Sequence, residues 1–563
     1  MGIKHFFMWF KKNFTESIHN LPKEKKVEDL NIEIDNLMID LNGLFHTSSQ
    51  KIYEYGNFKR EKSRREIINS KKMQHMLFQD VCLNIQNIFD IVKPKKKLIL
   101  CVDGVAPIAK QNQQRQRRFR NAKESNCVFD SNCITPGTRF MDYLSKYIDW
   151  YLKNSINTDT NWQNIEVIFS NEKVPGEGEH KIMNYIRKYG IKTETYCMFG
   201  LDSDLIMLAL ATHFPNFYIL REDLYDKNNL FFIINIGHVY DTLCNILEWQ
   251  NDKIKYIKEN AINDFVFLCF IVGNDFLPHI PSFEIIENGI ELIIEVYKEI
   301  GSSYGHITYK NNDKVEFVTK SLKAYLEMIG RYEKENFEIK LIKKKTFFSD
   351  YLLEESFIGN CDIDIDKYKE LYNKNHFIKD DYNIEKICHD YLEGMQWVLT
   401  YYTKGLSNWE YYFKFQYSPF ASDLAIHIDT FKNVDQKINS PITPFQQLLC
   451  VLPPKSSKLI PFPLNKLLYS PNPLNKYCPE NITIDLAGKR KEWEGIVVLP
   501  FVDFNLVKNE YLKNINSVSV YDKKCNIFGK TFSYKYSDKN NYDFKFYYGN
   551  ITNCKIQISC IDI

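Results

Sequence analysis

Short apolar runs alternate with stretches of helical spacing in the first half of the chain. The apolar runs are of strand length, and five of them are NLMIDL, KLILCV, IEVIFS, TYCMFGL and FYILRE. Helical stretches lie between and after them, among them residues 71–92, 176–190 and 204–214. Strands that alternate with helices are typical of an α/β fold with a largely parallel sheet. The pattern therefore predicts a central, mainly parallel sheet flanked by helices, and we assign it to a core of residues 1–290.

The rest of the chain divides into three regions. Residues 291–388 are rich in Lys, Glu and Tyr at helical spacing and predict a helical connecting insert. Residues 389–508 resume patterned sequence with Pro-rich loops, and we interpret them as a second region. Residues 509–563 alternate polar and apolar positions, which predicts a β-rich C-terminal tail.

Seven carboxylates stand in or beside these runs. The carboxyl ends of parallel strands converge on one crevice, so acids placed there can meet. Glu177 and Glu179 form one pair with two-residue spacing, and Asp202 and Asp204 form another. In extended chain this spacing points both side chains of a pair to the same side, where they repel unless a cation neutralises them. Oxygen ligands favour Mg²⁺ or Mn²⁺, and two such ions form the usual centre for phosphodiester cleavage. The candidates are Asp40, Asp103, Glu177, Glu179, Asp202, Asp204 and Asp275.

The alternative for any single acid is a helix cap or a turn, which is the commoner role of an Asp at a strand end. Asp204, directly before LIMLALA, fits a cap when it is taken alone. The two closely spaced pairs weaken that alternative for the set as a whole.

A basic stripe follows Asp103. Lys110, Gln114, Arg117 and Arg118 are spaced i, i+4, i+7 and i+8, so on a helix they fall within about a quarter-turn arc. Two guanidinium groups, an ammonium and an amide on one stripe form a receptor for a terminal phosphate. A solvated basic helix face is the alternative.

Composition limits the remaining classes. The 563 residues carry a net charge of only +2, but ten Lys and Arg against one acid are concentrated in residues 93–123. The 14 cysteines show no C-x-x-C pair, which argues against structural zinc or a disulfide framework and for a reducing compartment. The longest apolar run, FVFLCFIVG, is far shorter than the ~20 residues that span a bilayer, so we expect a soluble protein without a membrane role. Heavy use of Lys, Asn and Ile is typical of AT-rich coding, as in a virus or a protist.

Several blocks resemble, in order, those of the 5′→3′ exoribonuclease (Xrn) family. They are MGIKHFFMWF, DNLMIDLNGLFH, CVDGVAPIAKQNQQRQRRFR, FDSNCITPGTRFM, VPGEGEHKIM, GLDSDLIML and VGNDFLPH, and then YLEGMQWVLTYYTKG, TPFQQLLCVLPP and DLAGKRKEWEGIVVLPFVD. The resemblance covers most of residues 1–290 and 389–505. It implies a fold like that of PIN and flap nucleases, with the second conserved region packed around the same active site. It also implies a minimal catalytic core.

The resemblance implies roles for particular residues. All seven acids match the family's catalytic, metal-binding residues, and none of them is substituted. The four stripe residues match its 5′-monophosphate pocket. His46 matches the histidine that stacks on the first base, although an isolated His is more often a hydrogen-bonded packing residue. The stacking partner is expected in SNWEYYF, where the family has W-x-W and this chain has Trp409 and Tyr411.

The predicted function is processive, Mg²⁺- or Mn²⁺-dependent 5′→3′ degradation of single-stranded RNA that carries a 5′-monophosphate. Two ions are expected, and nucleoside 5′-monophosphates are the expected products. The resemblance further implies mRNA decay in the cytoplasm (the host cytoplasm if the source is viral), a functional link to a decapping enzyme, and a monomer. Two alternatives stay open at this point: a structure-specific 5′ nuclease acting on DNA, and a non-catalytic RNA-binding scaffold.

Overall fold

The computed structural model describes residues 5–58, 70–124, 129–223, 229–285, 289–343, 348–359, 362–377, 383–432 and 439–563. The strands are β1 (Ile18–Pro22), β2 (Asn36–Asp40), β3 (Lys97–Cys101), β4 (Glu166–Ser170), β5 (Tyr196–Phe199), β6 (Phe217–Glu222), β7 (Asn229–Asn235), β8 (Thr308–Asn311), β9 (Lys314–Phe317), β10 (Phe357–Gly359), β11 (Asp362–Ile363), β12 (Thr483–Asp485), β13 (Ile496–Val498), β14 (Thr531–Tyr536), β15 (Tyr542–Phe544), β16 (Ile551–Cys554) and β17 (Ile556–Ile561).

The helices are α1 (Phe6–Asn13), α2 (Leu41–Tyr53), α3 (Ser70–Val92), α4 (Ile108–Glu124), α5 (Arg139–Thr158), α6 (Thr160–Gln163), α7 (Gly178–Tyr189), α8 (Asp204–Leu210), α9 (Ile236–Leu247), α10 (Lys258–Leu268), α11 (Gly289–Tyr304), α12 (Thr319–Gly330), α13 (Glu333–Ile342), α14 (Tyr351–Glu355), α15 (Ile365–Phe377), α16 (Ile384–Thr403), α17 (Ala421–His427), α18 (Pro444–Val451), α19 (Phe504–Asn514) and α20 (Val520–Lys523). Within the described ranges, every helix is too short or too polar to cross a bilayer.

A nine-stranded sheet forms the centre of the fold, with the strand order β1-β7-β6-β5-β2-β3-β4-β14-β17. The five middle strands, β6 to β4 in that order, are all parallel to their neighbours. The pairs at both edges are antiparallel. The predicted α/β class is therefore confirmed: its parallel part is the middle of the sheet, and the whole sheet is mixed.

Both faces of the parallel strands are buried, as helices on either side of such a sheet require. Along β2, Leu37 and Ile39 belong to one apolar cluster, which includes residues of α3 and α5. Met38 lies between them and points to the opposite cluster, which includes residues of α7, α8 and α10. Because side chains alternate along a strand, this register places the strand ends between two helical layers.

Residues 289–403 add a mainly helical body to the second of these clusters. Helices α11, α12 and α16 contribute buried residues to it, and the short hairpins β8–β9 and β10–β11 interrupt the helices. The helix α16 runs across the boundary at 388/389 that the sequence suggested. The division into a core, an insert, a second region and a tail stays a prediction.

The prediction of a β-rich tail over 509–563 is wrong for its first part. Residues Phe504–Asn514 form α19, whose start is capped by Asp503, and Ser519 caps α20 by accepting a hydrogen bond from the N–H of Asp522. The alternating segment SVSVYD therefore contains a helix cap and the first residues of a helix. Alternation of polar and apolar residues alone cannot distinguish such a cap from a strand. Strands begin only at Thr531, and two of them extend the main sheet.

We expect the added strands to stabilise the whole fold. Ile556 on β17 is buried in an apolar cluster, whereas Ile558 on the same strand is 41% exposed. Replacement of Ile556 by Ala should lower the free energy of unfolding by about 2–5 kcal/mol, because a buried aliphatic side chain is lost and a cavity remains. The matched Ile558→Ala variant should lose far less. Urea denaturation measures both, and equal losses would contradict the placement of β17.

Candidate active site

The parallel strands bring acids to one edge of the sheet. β2 ends at Asp40, and Asp103 lies two residues beyond β3. Asp202 lies between β5 and α8. Because β2 is paired with both β3 and β5 in parallel, the carboxyl ends of all three strands meet there. The remaining acids are supplied by loops and helix starts at the same edge. Glu177 and Glu179 lie at the start of α7, and Asp204 lies at the start of α8. Asp275 lies in the loop after the short 3₁₀ helix Cys269–Val272.

Carboxylate oxygens of Asp40, Asp103 and Glu179 lie within 4.8 Å of one another. Asp103 is fixed by two hydrogen bonds: the N–H of Gly178 donates to its Oδ1 at 2.7 Å, and Nδ2 of Asn42 donates to its Oδ2 at 2.7 Å. A second group with the same spacing joins Glu177, Glu179 and a nitrogen of His180. Glu179 is common to both groups.

Two glycines allow this close approach. A Cβ atom on Gly178 would lie 2.4 Å from Oδ1 of Asp40, and one on Gly104 would lie 1.9 Å from the carbonyl oxygen of Val174. The N–H of Gly104 also donates to the carbonyl of Gly176 at 2.8 Å. The glycines of the VDG and GEGEH segments therefore let the two loops pack against each other at the acids.

Lys110 lies among the acids. Its ammonium is 2.6 Å from Oε2 of Glu177, 2.8 Å from Oδ2 of Asp275 and 3.9 Å from Oε1 of Glu179. Burial alone would lower the pKa of Lys110, but these carboxylates and Asp204 raise it well above its ordinary value. The first residue of the stripe thus partly neutralises the acidic crevice.

The crevice still holds more negative charge than one ammonium can balance. Burial, and then the neighbouring Asp103, raises the pKa of Asp40 well above its usual range, and burial with Glu177 does the same for Glu179. Burial, followed by the charges of Asp202 and Asp275, raises the pKa of Asp204 to about 7. The acids therefore interact across the whole crevice, all seven being brought to one place.

The donor set fits divalent metal ions. It is composed mainly of carboxylate oxygens, which suit Mg²⁺ or Mn²⁺. Oδ1 of Asp204 is buried and has no hydrogen-bond partner in the described part of the chain. A bound cation would satisfy that oxygen and remove the repulsion that raises the carboxyl pKa values.

The other stripe residues lie farther along α4. Arg118 is buried, and burial together with the charge of Arg117 lowers its pKa to about 9. Among the described residues, Nη1 of Arg118 and Oε1 of Gln114 have no hydrogen-bond partner. His46 is near both arginines: burial, and then Arg117 and Arg118, lowers its pKa to about 3. Arg118 and Gln114 are thus buried beside the acids, and Arg117 and His46 are half-buried.

The two aromatic candidates differ. Tyr411 is buried, its ring lies on Trp397 with centroids 5.3 Å apart, and its hydroxyl donates to the carbonyl of Asp390 at 3.1 Å. Its prediction as a base-stacking residue is therefore corrected: the ring is part of the core. Trp409 is half-buried, and its carbonyl accepts a hydrogen bond from the N–H of Ile108, the first residue of α4, at 2.9 Å. No ring contact between His46 and Trp409 occurs in the described structure.

The sequence reasoning missed Tyr401 and His180. The hydroxyl of Tyr401 donates to Oε1 of Glu177 at 3.0 Å, and its ring lies on the imidazole of His180 with centroids 3.5 Å apart. Asn42, which holds Asp103, was also missed. The signals were the two tyrosines that end YLEGMQWVLTYY and the polar residue two places after Asp40 in IDLN.

A cavity of about 1870 Å³ adjoins the acids and is lined by Ser203 and Asp275. Its other walls come from α1, the exposed face of α4 with Arg117, and residues 484–497. The cavity thus connects the acidic crevice with the basic helix.

A parallel sheet with an acidic crevice at its carboxyl edge, next to a basic helix, defines an α/β protein of the nuclease class. The family model described as the XRN 5'-3' exonuclease N-terminus matches residues 1–128 and 123–223, and the one described as the Xrn1 helical domain matches residues 255–356 and 360–559. The chain belongs to the 5′→3′ exoribonuclease (Xrn) family.

Relatives are similar over most of this chain. The 5'-3' exoribonuclease 2 homolog of Drosophila melanogaster is 30% identical over 89% of the chain and 70% of its own length. The 5'-3' exoribonuclease 1 of Homo sapiens is 30% identical over 89% of the chain, which spans 33% of that protein. The corresponding protein of Saccharomyces cerevisiae is 27% identical, with 95% of the chain and 45% of the relative covered. The chain thus spans from a third to about two thirds of these relatives.

Two solved structures are similar at low identity. One is the catalytic core of Rad2 in complex with DNA substrate, with a TM-score of 0.34, 15% identity, and coverage of 72% of this chain and 87% of that one. The other is the T5 D15 protein co-crystallized with metal ions, with a TM-score of 0.28, 10% identity, and coverage of 54% and 86%.

We expect His46 to stay neutral in the folded protein. Its pKa of about 3 lies below the value of 6.5 for an unfolded chain, so the unfolded state binds more protons between these values. His46 therefore contributes stability above about pH 6.5 that is lost as the pH falls towards 3. In an NMR titration, the imidazole signal that His46→Gln removes should not shift between pH 8 and 5, whereas it should titrate in urea. A native midpoint near 6.5 would contradict this.

Proposed function

We propose that the chain is a processive 5′→3′ exoribonuclease that degrades single-stranded RNA with a 5′-monophosphate to nucleoside 5′-monophosphates. The observation that carries this proposal is the position of Arg118 and Gln114, buried polar groups with unsatisfied atoms, beside an acidic crevice in a chain of the Xrn family. A receptor for a terminal phosphate next to a hydrolytic centre favours removal of nucleotides from that end.

Two divalent ions, Mg²⁺ or Mn²⁺, are proposed for the crevice. The group of Asp40, Asp103 and Glu179 would hold one, with Glu177 contributing beside Glu179. Asp202, Asp204 and Asp275 would contribute to the other. When bound, such ions activate the attacking water and stabilise the leaving 3′-oxygen. Asn42 and the N–H of Gly178 hold Asp103 in place for this task.

The guanidinium groups of Arg117 and Arg118 and the amide of Gln114 would bind the 5′-phosphate. Guanidinium groups bind phosphate through paired hydrogen bonds. The cost of burying Arg118 without a partner for Nη1 would be offset by a phosphate dianion. A cap or a triphosphate would exceed the space beside His46 and be excluded. Lys110, paired with Glu177 and Asp275, would lie between the phosphate and the ions.

The large cavity would accommodate the strand that follows the scissile bond. Its lining includes Arg117, Lys11 and the rings of Phe276, Tyr412 and Trp493, a combination of cations and aromatic faces that suits single strands. His46, kept neutral, would stack on the first base, with Trp409 as the proposed partner. RNA turnover in the cytoplasm, with a decapping enzyme supplying 5′-monophosphate ends, is the role that this substrate implies.

The acids are expected to be essential for hydrolysis but not for RNA binding. Asp202→Ala and Glu177→Ala should abolish the release of mononucleotides from 5′-labelled RNA in Mg²⁺, because the ions lose a ligand or its support, while a gel-shift assay should still detect binding. Asp241→Ala, which removes an exposed acid on α9, is the matched control and should retain full activity. Hydrolysis in excess EDTA, or by the Asp202→Ala protein, would refute the metal mechanism.

The preference for a 5′-monophosphate should depend on Arg118 and Arg117. The wild-type protein should degrade 5′-monophosphate RNA far faster than the same RNA with a 5′-hydroxyl, a triphosphate or a cap. Loss of one charge-assisted hydrogen bond costs about 1.5–3 kcal/mol, so either Arg→Ala change should shrink the phosphate-to-hydroxyl rate ratio by about 10- to 100-fold.

Lys95→Ala is the control for this comparison, since Lys95 is an exposed residue outside the stripe. Its rate ratio should equal that of the wild-type protein. Equal wild-type rates on phosphate and hydroxyl ends would refute the assignment of the pocket.

A further inference from the structure

We propose that Tyr401 is a positioning residue that holds Glu177 in the geometry the metal centre requires; this inference rests on the proposed function. Tyr401 lies in the last turn of α16, far from the GEGEH segment in sequence. Its hydroxyl donates to Oε1 of Glu177 at 3.0 Å, and both residues are buried.

The two oxygens of Glu177 are held by different partners. Oε1 accepts from Tyr401, and Oε2 is 2.6 Å from the ammonium of Lys110. A glutamate has three rotatable side-chain bonds, so contacts at both oxygens are needed to fix the plane of its carboxylate. The ion pair alone would leave that plane free to turn about the Oε2 contact. The hydroxyl of Tyr401 therefore selects one orientation.

The ring of Tyr401 fixes a second residue of the same segment. It lies on the imidazole of His180 with centroids 3.5 Å apart and an interplanar angle of 4°. His180 and Glu177 are three residues apart at the start of α7, and Glu179 lies between them. One side chain therefore contacts both ends of the segment 177–180, which includes Glu179.

Tyr401 is itself packed against aromatic side chains. Its ring contacts Phe276 edge to face at 5.7 Å and Trp397 at 5.2 Å. Phe276 directly follows Asp275, and the indole N–H of Trp397 donates to the carbonyl of Asn408 at 2.9 Å. Tyr401 thus contacts Glu177 directly and the neighbour of Asp275, so it lies against two separate acid-bearing segments.

Hydrogen-bond partners of metal ligands typically change metal affinity or activity by 10- to 100-fold when removed. Tyr401→Phe keeps the ring on His180 and removes only the hydroxyl. Tyr401→Leu removes both contacts. Tyr325→Phe is the matched control, because Tyr325 is a buried tyrosine whose hydroxyl donates to the carbonyl of Ile293, at 3.1 Å, away from the crevice.

The experiment measures three quantities for each protein. Mn²⁺ binding without RNA is followed by electron paramagnetic resonance, steady-state kinetics on 5′-monophosphate RNA are recorded over a range of Mg²⁺ concentrations, and the Tm is determined in EDTA. For Tyr401→Phe we expect Mn²⁺ affinity to fall and the Mg²⁺ concentration for half-maximal rate to rise, each by about 10- to 100-fold. The KM for RNA and the Tm in EDTA should match those of Tyr325→Phe.

Unchanged Mn²⁺ affinity and Mg²⁺ dependence in Tyr401→Phe would overturn the inference, as would an equal change in Tyr325→Phe. If Tyr401→Leu fails to fold, the Phe variant still decides the question. A wild-type protein that binds Mn²⁺ but does not hydrolyse RNA would refute the proposed function instead. In that case, weaker Mn²⁺ binding by Tyr401→Phe would still support the role of its hydroxyl.

Discussion

Repulsion between buried carboxylates is the constraint on which the rest of the structure depends. Parallel strands deliver acids to one edge. Burial, and then the charge of a neighbouring carboxylate, raises the pKa of both Asp40 and Glu179. Lys110 offsets part of this charge from a helix outside the sheet. The glycines, the amide of Asn42 and the hydroxyl of Tyr401 keep the acids close in spite of their repulsion. A bound divalent cation would reduce this repulsion.

The parts of the site set by local sequence could be predicted. Asp40, Asp103 and Asp202 follow apolar runs, and the parallel order of β2, β3 and β5 was enough to bring them together. The helical spacing of the stripe placed Arg117 and Arg118 on one helix. In each case, the residues next to a side chain were enough to predict the strand end or helix face on which it lies.

What could not be predicted depends on partners distant in the chain. Tyr411 looks like a stacking residue by its position beside Trp409, but Trp397 on α16 buries its ring. The bond between Tyr401 and Glu177 joins residues 224 positions apart, so local sequence could not show which acid a tyrosine of YLEGMQWVLTYY meets. Near the C-terminus, Asp503 and Ser519 cap two helices that extend into or lie within residues 509–563, where alternation suggested strands. Tertiary contacts and caps decide these cases.

The nine-stranded sheet also has a temporal consequence. Its strands come from residues 18 to 561, and β14 and β17 pair next to β4, which is made several hundred residues earlier. A ribosome that has finished the five parallel strands has not yet made the two strands that cover that edge, nor α16 with Tyr401. Long-range pairing of this kind slows folding. The sheet would therefore be complete only after synthesis of the strand that ends at Ile561, and Tyr401 would reach Glu177 only after synthesis of α16.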